Sequence, residues 1–186
     1  MRSLVLAVAL AAASTTVLAQ TGDPADVAFM QGMIHHHAQA IEMVALIGAR
    51  TTSPVMRLLG ERINVSQKDE ILMMQNWLRE HHQDAPDPLA HMGMDMGEHA
   101  EHLMPGMLTK EQMTRLAAAK GGAFDRLFLT GMIQHHQGAL TMVKELFATT
   151  GAAQATAIFR FASDVDADQR AEIARMRAML KTVPSK

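Results

Sequence analysis

The sequence has no cysteine and no tyrosine, and aromatic residues make up only 4% of its 186 residues. Without cysteine the chain forms no disulfide and offers no thiolate to a metal, so any soft ligand that it provides must be a thioether. Basic residues do not cluster, and a formal net charge of −2 gives no basic surface for nucleic acid. Methionine, with 17 residues, fills much of the core that aromatic side chains usually occupy.

Long apolar runs are also missing, apart from one near the N-terminus. Residues 4–13 are all apolar and follow Arg2, and small residues lie at 17–19. Ten residues are too few to span a bilayer, which needs about 20. The pattern is typical of a secretory signal. We therefore expect a signal peptide over 1–19, no membrane span, and a single exported domain over 20–186, located in the periplasm or outside the cell.

The rest of the chain is predicted to be helical, because apolar residues recur with helical spacing and no segment alternates as a strand does. The predicted long helices cover about 24–50, 54–82, 123–149 and 152–181. Ser53 followed by Pro54 is typical of a helix start. Thr109 with Gln112 three residues later predicts a capping box and a short extra helix.

An internal repeat organises these helices. Residues 29–44 match 128–143 around a shared Gly-Met-Ile-x-His-His block, and 67–78 match 169–180. Each half, about 24–83 and 122–182, is therefore predicted to be a helical hairpin that cannot bury its apolar faces alone. Packing the two hairpins together gives an all-α four-helix bundle. The methionine- and histidine-rich linker of about 84–108 and the short helix form the crossover.

The first helix is predicted to bury two adjacent histidines. On a helical wheel His36 and His37 fall within the apolar arc around Met33, whereas His35 falls on the polar side. A buried imidazole is costly unless its polar atoms have partners. These two side chains therefore need either hydrogen-bond acceptors in the core or a metal ion.

The repeat preserves the inner pair and replaces the outer histidine. His135 and His136 lie on the apolar arc with Met132, and Gln134 takes the outer position. Each inner histidine is either a hydrogen-bonded core residue or a metal ligand. Two pairs repeated in one molecule favour metal ligation.

Methionines lie close to both histidine pairs. Met33 and Met132 each precede a pair by one turn, so each trio can converge on one ion. Met43 and Met142 lie about 10.5 Å further along the axis than the first histidine of each pair, too far for the same ion. They are either core residues or part of a second site.

Two glutamates are predicted to point inward from the partner helices. Glu70 and Glu172 each lie four residues before a methionine on the apolar arc, Met74 and Met176 respectively. A carboxylate there either orients an imidazole ligand or forms an interhelical salt bridge or hydrogen bond.

The linker carries a second group of candidate ligands. Methionines alternate there with glycine and charged residues, a spacing that suits either the capture of a soft metal or a flexible connection. The candidate ligands are His91, Met92, Met94, Met96, His99 and His102. Thioether with imidazole selects Cu(I) and Ag(I), whereas zinc prefers thiolates or several histidines and calcium prefers oxygen.

With these motifs in view, the chain resembles the domain-of-unknown-function 305 family, which includes CopM-type copper-binding proteins. The resemblance rests on 29–44, 128–143, 67–78 and the Met-Pro-Gly-Met lead into the short helix. It implies a ferritin-like helical bundle and a role in copper binding and tolerance outside the cytoplasm. Two departures are Gln137, where members often have an acidic residue, and Met179, which aligns with Trp77 of the other half.

Together these observations favour an exported, non-enzymatic copper binder that acts in sequestration, tolerance or trafficking. Cu(I) is the favoured ion, with Ag(I) and Cu(II) as further ions, and a second copper-handling protein or a further copy of the chain as partners. One alternative is a ferritin-like di-metal redox enzyme, although its Glu-x-x-His pairs are missing. Another is a structural or adaptor bundle with incidental histidines. Because imidazole protonates near pH 6 and thioethers do not, we expect acid to reduce copper capacity at a histidine site.

Overall fold

The computed structural model describes residues 22–88 and 103–183, and this part of the chain is helical without strands. The helices are α1 Pro24–Ala45, α2 Ile47–Arg50, α3 Pro54–Glu80, α4 Lys110–Ala118, α5 Gly121–Ala148 and α6 Thr156–Leu180. The all-helical prediction is confirmed. The predicted signal peptide over 1–19 and the candidate ligands from His91 to His102 lie outside the described residues.

Local capping explains where several helices begin. The Asp23 side chain accepts a hydrogen bond of 2.8 Å from the Ala25 N–H, with proline as the first residue of α1. Thr109 and Gln112 form the predicted capping box at the start of α4. Ser53 precedes α3 as predicted, but its side chain makes no capping bond. The fixed backbone of Pro54 is what favours that start.

The predicted first long helix is divided in two. The backbone N–H of Leu46 bonds to Met43 O at 3.2 Å, which tightens the last turn of α1 before α2 begins. The short α2 packs on α3 where Gly60 leaves room for the Ile47 side chain. Sequence periodicity does not reveal this break, because the apolar spacing continues through it.

The last helix begins at Thr156, four residues later than predicted. Gly151 and Ala153 have positive φ values of 90° and 54°, which a right-handed helix does not allow. The turn is held by the buried Asp26 side chain, which accepts a hydrogen bond of 2.7 Å from the Ala153 N–H. A contact with α1 therefore overrides the local helical pattern.

The four long helices pack in pairs around one core. α1 lies along α3, α5 lies along α6, and α1 contacts α5. One apolar half of the core surrounds Met33 and Met74, and the other surrounds Phe128 and Met176. A layer of buried polar side chains, here called the polar layer, separates the two halves: each long helix contributes residues to one half, then to the layer, then to the other half. Its members are His36, His37, Gln67, Glu70, His135, His136, Gln169 and Glu172. No helix within 22–88 or 103–183 is long and apolar enough to cross a membrane.

A short loop, residues 104–108, makes a turn at Pro105 and Gly106, lies between α1 and α5, and is here called the strap. Gln39 of α1 holds it through two bonds to the Leu108 backbone, of 2.7 and 2.9 Å. On α5, the Gln134 side chain donates to Gly106 O at 3.2 Å. Gly106 has a φ of +76° and sits directly against Gly138 of α5. The strap therefore fixes how α1 and α5 are placed relative to each other.

We expect Gly138→Ala to destabilise the protein by about 1–3 kcal/mol, because the new Cβ would overlap the Pro105 carbonyl and push the strap away. Gly48→Ala in α2 is the matched control, since a Cβ there has open space and alanine favours a helix by up to about 1 kcal/mol. Urea unfolding of both variants measures the difference. Equal free energies of unfolding would show that the strap does not need this close approach.

Candidate metal centre

All four inner histidines are buried in the polar layer. His36, His37 and His136 have no exposed surface, and His135 is 1% exposed. His35, which the helical wheel places on the polar side, is only partly buried. The structure thus brings the two histidine pairs into one core, on α1 and α5, as the periodicity indicated.

Each glutamate of the layer bonds one imidazole across a helix pair. His37 Nε2 bonds the Glu70 carboxylate, and His136 Nε2 lies 2.6 Å from Glu172 Oε2. Glu70 also accepts a bond of 2.9 Å from the Ser66 hydroxyl. The contacts tie α1 to α3 and α5 to α6. Each is an interhelical hydrogen bond, which is one of the two roles that the sequence left open, and each also limits the orientation of its ring.

The other two imidazoles bond to backbone carbonyls and pack against each other at a tilt. His36 Nε2 donates to Pro105 O in the strap at 3.0 Å, and His135 Nε2 donates to His36 O at 2.8 Å. Their ring centroids are 3.8 Å apart, with 38° between the planes. The rings of α1 and α5 therefore meet at the centre of the layer.

These bonds determine which ring nitrogens are available. Each Nε2 faces an oxygen acceptor, so a proton of each ring is assigned to Nε2. The Nδ1 atoms of His36, His37, His135 and His136 are buried and have no hydrogen-bond partner. The side-chain oxygens of Gln67 and Gln169 are also buried without a partner. Buried polar atoms without partners cost about 1–3 kcal/mol each, so this layer has polar atoms that an ion would satisfy.

Burial keeps the central imidazoles neutral. Desolvation, reinforced by the neighbouring His37 and opposed by the Pro105 carbonyl, lowers the pKa of His36 to about 3. Desolvation together with His36 and His136 lowers the pKa of His135 well below its usual value. Both rings therefore present a free electron pair over a wide pH range.

The carboxylates give the layer a negative side. Burial would raise the pKa of Glu70, but the bonds from His37 and Ser66 outweigh it and the pKa is lowered. Asp168 lies nearby, and burial with the charges of Glu70 and Glu172 raises its pKa. A groove of about 490 Å³ between α3 and α6 reaches this side from solvent, and its charged lining residues are Glu61, Asp168 and Glu172 against one cation, Arg62. Its charge favours the approach of a cation.

The predicted methionine ligands are buried but belong to different parts of the core. Met33 and Met142 lie in one apolar half, and Met43 and Met132 lie in the other. Among the described residues, no three histidine, aspartate or glutamate side chains are grouped to hold one metal ion. A centre built from this layer therefore uses few ligands for each ion, such as a histidine pair with or without a thioether.

Sequence reasoning did not assign roles to several groups of the layer. Gln67 and Gln169 aligned within the repeat, and that alignment was a signal that could have identified them. The Pro105 carbonyl and the Ser66 hydroxyl had no such signal, because their contacts depend on how the strap and α3 pack. His81 bonds Trp77 O through Nδ1 at 2.8 Å and stacks on the Trp77 ring. His81 is the C-cap residue of α3, so this contact lies at the end of that helix.

Acid should destabilise the metal-free protein before its carboxylates titrate. His36 takes up a proton near pH 6.5 in the unfolded chain but only near pH 3 in the folded one, so the unfolded state binds more protons between these values. Stability is therefore lost as the pH falls below about 6.5, by about 2 kcal/mol at pH 5 for this ring alone. Urea unfolding with a chelator at pH 7, 6 and 5 measures the loss.

The variant His36→Gln provides the comparison, because its amide can keep a donor to Pro105 O but does not titrate. We expect a shallower pH dependence for this variant. An unfolding free energy that is the same at pH 7 and pH 5 in the parent protein would contradict the buried neutral rings. The low pKa values also change the expectation from the sequence, since copper capacity at these rings should persist in acid for as long as the protein stays folded.

Two solved structures that are similar to this chain both contain the DUF305 domain. A DUF305 protein from Streptomyces coelicolor, described as secreted, is 28% identical with a TM-score of 0.71, over 85% of this chain and 93% of that chain. A DUF305 fragment from Deinococcus radiodurans is 29% identical with a TM-score of 0.72, over 86% and 97%.

A third similar structure contains copper. CopM in its Cu(II)-bound form is 26% identical with a TM-score of 0.65, over 84% of this chain and 96% of that chain. CopM is also known in Cu(I)-bound and silver-bound forms. No curated protein matches the chain significantly. The family model described as "Domain of unknown function (DUF305)" matches residues 26–180, and the chain therefore belongs to the DUF305 family.

Proposed function

We propose that the protein binds monovalent copper, and by the same chemistry silver, through the buried imidazoles of the polar layer. The observation that carries the proposal is the set of four inner imidazoles that each bond an acceptor through Nε2 while Nδ1 is buried without a partner. Each ring is held by a bond at Nε2, so the opposite nitrogen is oriented before an ion arrives. Such support of a ligand by an outer carboxylate or carbonyl is a common feature of histidine metal sites.

The donor set favours Cu(I) over harder ions. The chain has no thiolate. The layer supplies imidazoles and the apolar core beside it supplies thioethers, and both are ligands for Cu(I) and Ag(I). Calcium and magnesium need six or more oxygens at distances that this layer does not offer. The similarity to CopM, which is known with Cu(I), Cu(II) and silver, supports the same choice.

The acidic groove between α3 and α6 is the proposed route of the ion. Glu172 lines the groove and also bonds His136, so it connects solvent with the His136 imidazole. Asp168 and Glu70 add negative charge to the same region. A cation entering here would be attracted toward the histidines without opening either apolar half of the core.

We further infer a ferritin-like four-helix bundle made of two repeated hairpins, with the layer at the level where they meet. The matching bonds of His37 to Glu70 and His136 to Glu172 support this interpretation. The predicted signal peptide over 1–19 and the neighbour described as secreted support export to the periplasm or beyond. We therefore propose a binding protein that sequesters or carries copper, with another copper-handling protein as its partner.

Binding is favoured over a di-metal redox enzyme because both inward glutamates bond imidazoles, and no group of three His, Asp or Glu side chains within 22–88 and 103–183 is placed to hold an ion. It is favoured over a purely structural bundle because an adaptor would gain nothing from four buried ring nitrogens without partners. Apolar residues in their place would give a more stable core.

The proposal is tested by Cu(I) titration against a competing chelator, using His→Gln variants that remove Nδ1 and leave an amide near the position of Nε2. We expect the combined variant His36→Gln/His37→Gln/His135→Gln/His136→Gln to lose at least about 10-fold in Cu(I) affinity. Removing only an outer partner of a ligand already costs about that much. The protein should also gain thermal stability from Cu(I), because an ion that binds only the folded state stabilises it.

His35→Gln is the matched control, since the other half of the chain has glutamine at this position, Gln134. Its Cu(I) affinity should equal that of the parent protein. Unchanged affinity in the combined inner variant would place copper elsewhere and remove the basis of the proposal. Loss of affinity in His35→Gln alone would do the same.

A further inference from the structure

The repeated helices contain two glycines at equivalent positions, each of which leaves a notch in its helix. Gly32 of α1 and Gly131 of α5 begin the Gly-Met-Ile part of the doubled block. Each notch is occupied by a methionine from the other helix and by a residue from the strap. The two notches are therefore alike in position but can differ in chemistry.

At Gly32 both occupants are thioethers. The point where a Cβ would lie is 3.3 Å from Met104 Sδ and 3.5 Å from Met142 Cε. At Gly131 the equivalent point is 3.0 Å from Leu108 Cδ2 and 3.4 Å from Met43 Cε. One notch thus contains two thioether side chains, and the other contains one thioether against a hydrocarbon side chain.

The strap holds Met104 in this place. The next residue, Pro105, accepts the bond from His36 one turn along α1, and Gly106 sits against Gly138 one turn before Met142 on α5. Met104 is only partly buried, whereas Met142 is buried with 9% exposure. The pair therefore combines a fixed backbone with one methionine, Met104, that is partly exposed to solvent.

We propose that Met104 and Met142 form a second site, distinct from the histidines, that binds a monovalent soft cation in the notch at Gly32. Thioethers select Cu(I) and Ag(I) over zinc and the hard cations. The methionine side chain has three rotatable bonds, so both sulfurs can turn toward one ion without moving the backbone. The choice of ion rests on the proposed function, but the position of the site does not.

The experiment follows Ag(I) addition by NMR of the protein labelled with ¹³C at the methionine methyl groups, with assignments from single substitutions. We expect the methyl signals of Met104 and Met142 to shift together. In Met104→Leu, which conserves volume, the Met142 signal should no longer respond, and Ag(I) affinity at this site should fall at least about 10-fold. A Met142 response that is unchanged in Met104→Leu would overturn the proposal.

Leu108→Met is the matched gain-of-function variant, because it gives the notch at Gly131 the same two thioethers. The Met43 methyl signal should be insensitive to Ag(I) in the parent protein and become responsive in this variant. If Met43 stays insensitive, a pair of thioethers facing a glycine is not sufficient for binding and the proposal is wrong.

The histidine variants separate this site from the proposed function. In the combined His→Gln variant of the polar layer, the Met104 and Met142 signals should still shift with Ag(I). If the imidazoles of the parent protein respond and these two methyl groups do not, only the second site is refuted. If the methyl groups respond and the imidazoles do not, the histidine site is refuted and the thioether site remains.

Discussion

The burial of four imidazoles in one layer is the constraint on which the rest of the structure depends. Leaving water is costly for each ring unless its polar atoms find partners, and the protein satisfies only one nitrogen of each. Satisfying Nε2 requires acceptors from α3, α6, the strap and the backbone of α1. The apolar halves on either side exclude water and keep the two central rings neutral. Packing, protonation and ligand availability thus follow from one arrangement.

The strap connects this layer to the fold. It lies between α1 and α5, runs beside Gly32, His36 and Gln39, and supplies the carbonyl that holds His36. Because Gly106 and Gly138 have no side chains, the backbone of the strap can approach α5 closely at this point. The segment that orients an imidazole on one side therefore also positions Met104 on the other. A change in the strap would therefore alter both places, so the strap physically connects the inner histidines with the partly exposed Met104.

The sequence was sufficient for the helices, for the inward direction of His36, His37, His135 and His136, and for the family, because all three depend on periodicity and repeated motifs. It was not sufficient for the break at Leu46 or for the late start of α6, which are set by a tight turn and by the distant Asp26. Nor could it show that Nδ1 is the free nitrogen, since this depends on acceptors brought together by packing. The low pKa of His36 has the same origin, and the acid sensitivity expected from an ordinary imidazole changed accordingly.

The central claim is that Nε2 carries the proton and the structural bond in each inner ring, while Nδ1 receives the ion. Nitrogen-15 NMR of histidine-labelled protein with Ag(I) tests this directly, because silver is diamagnetic and couples to the nitrogen that it binds. The account predicts splitting and a shift at Nδ1 of the inner histidines, with the Nε2 protons retained. Coupling at Nε2, or imidazole signals that do not change with silver, would contradict it.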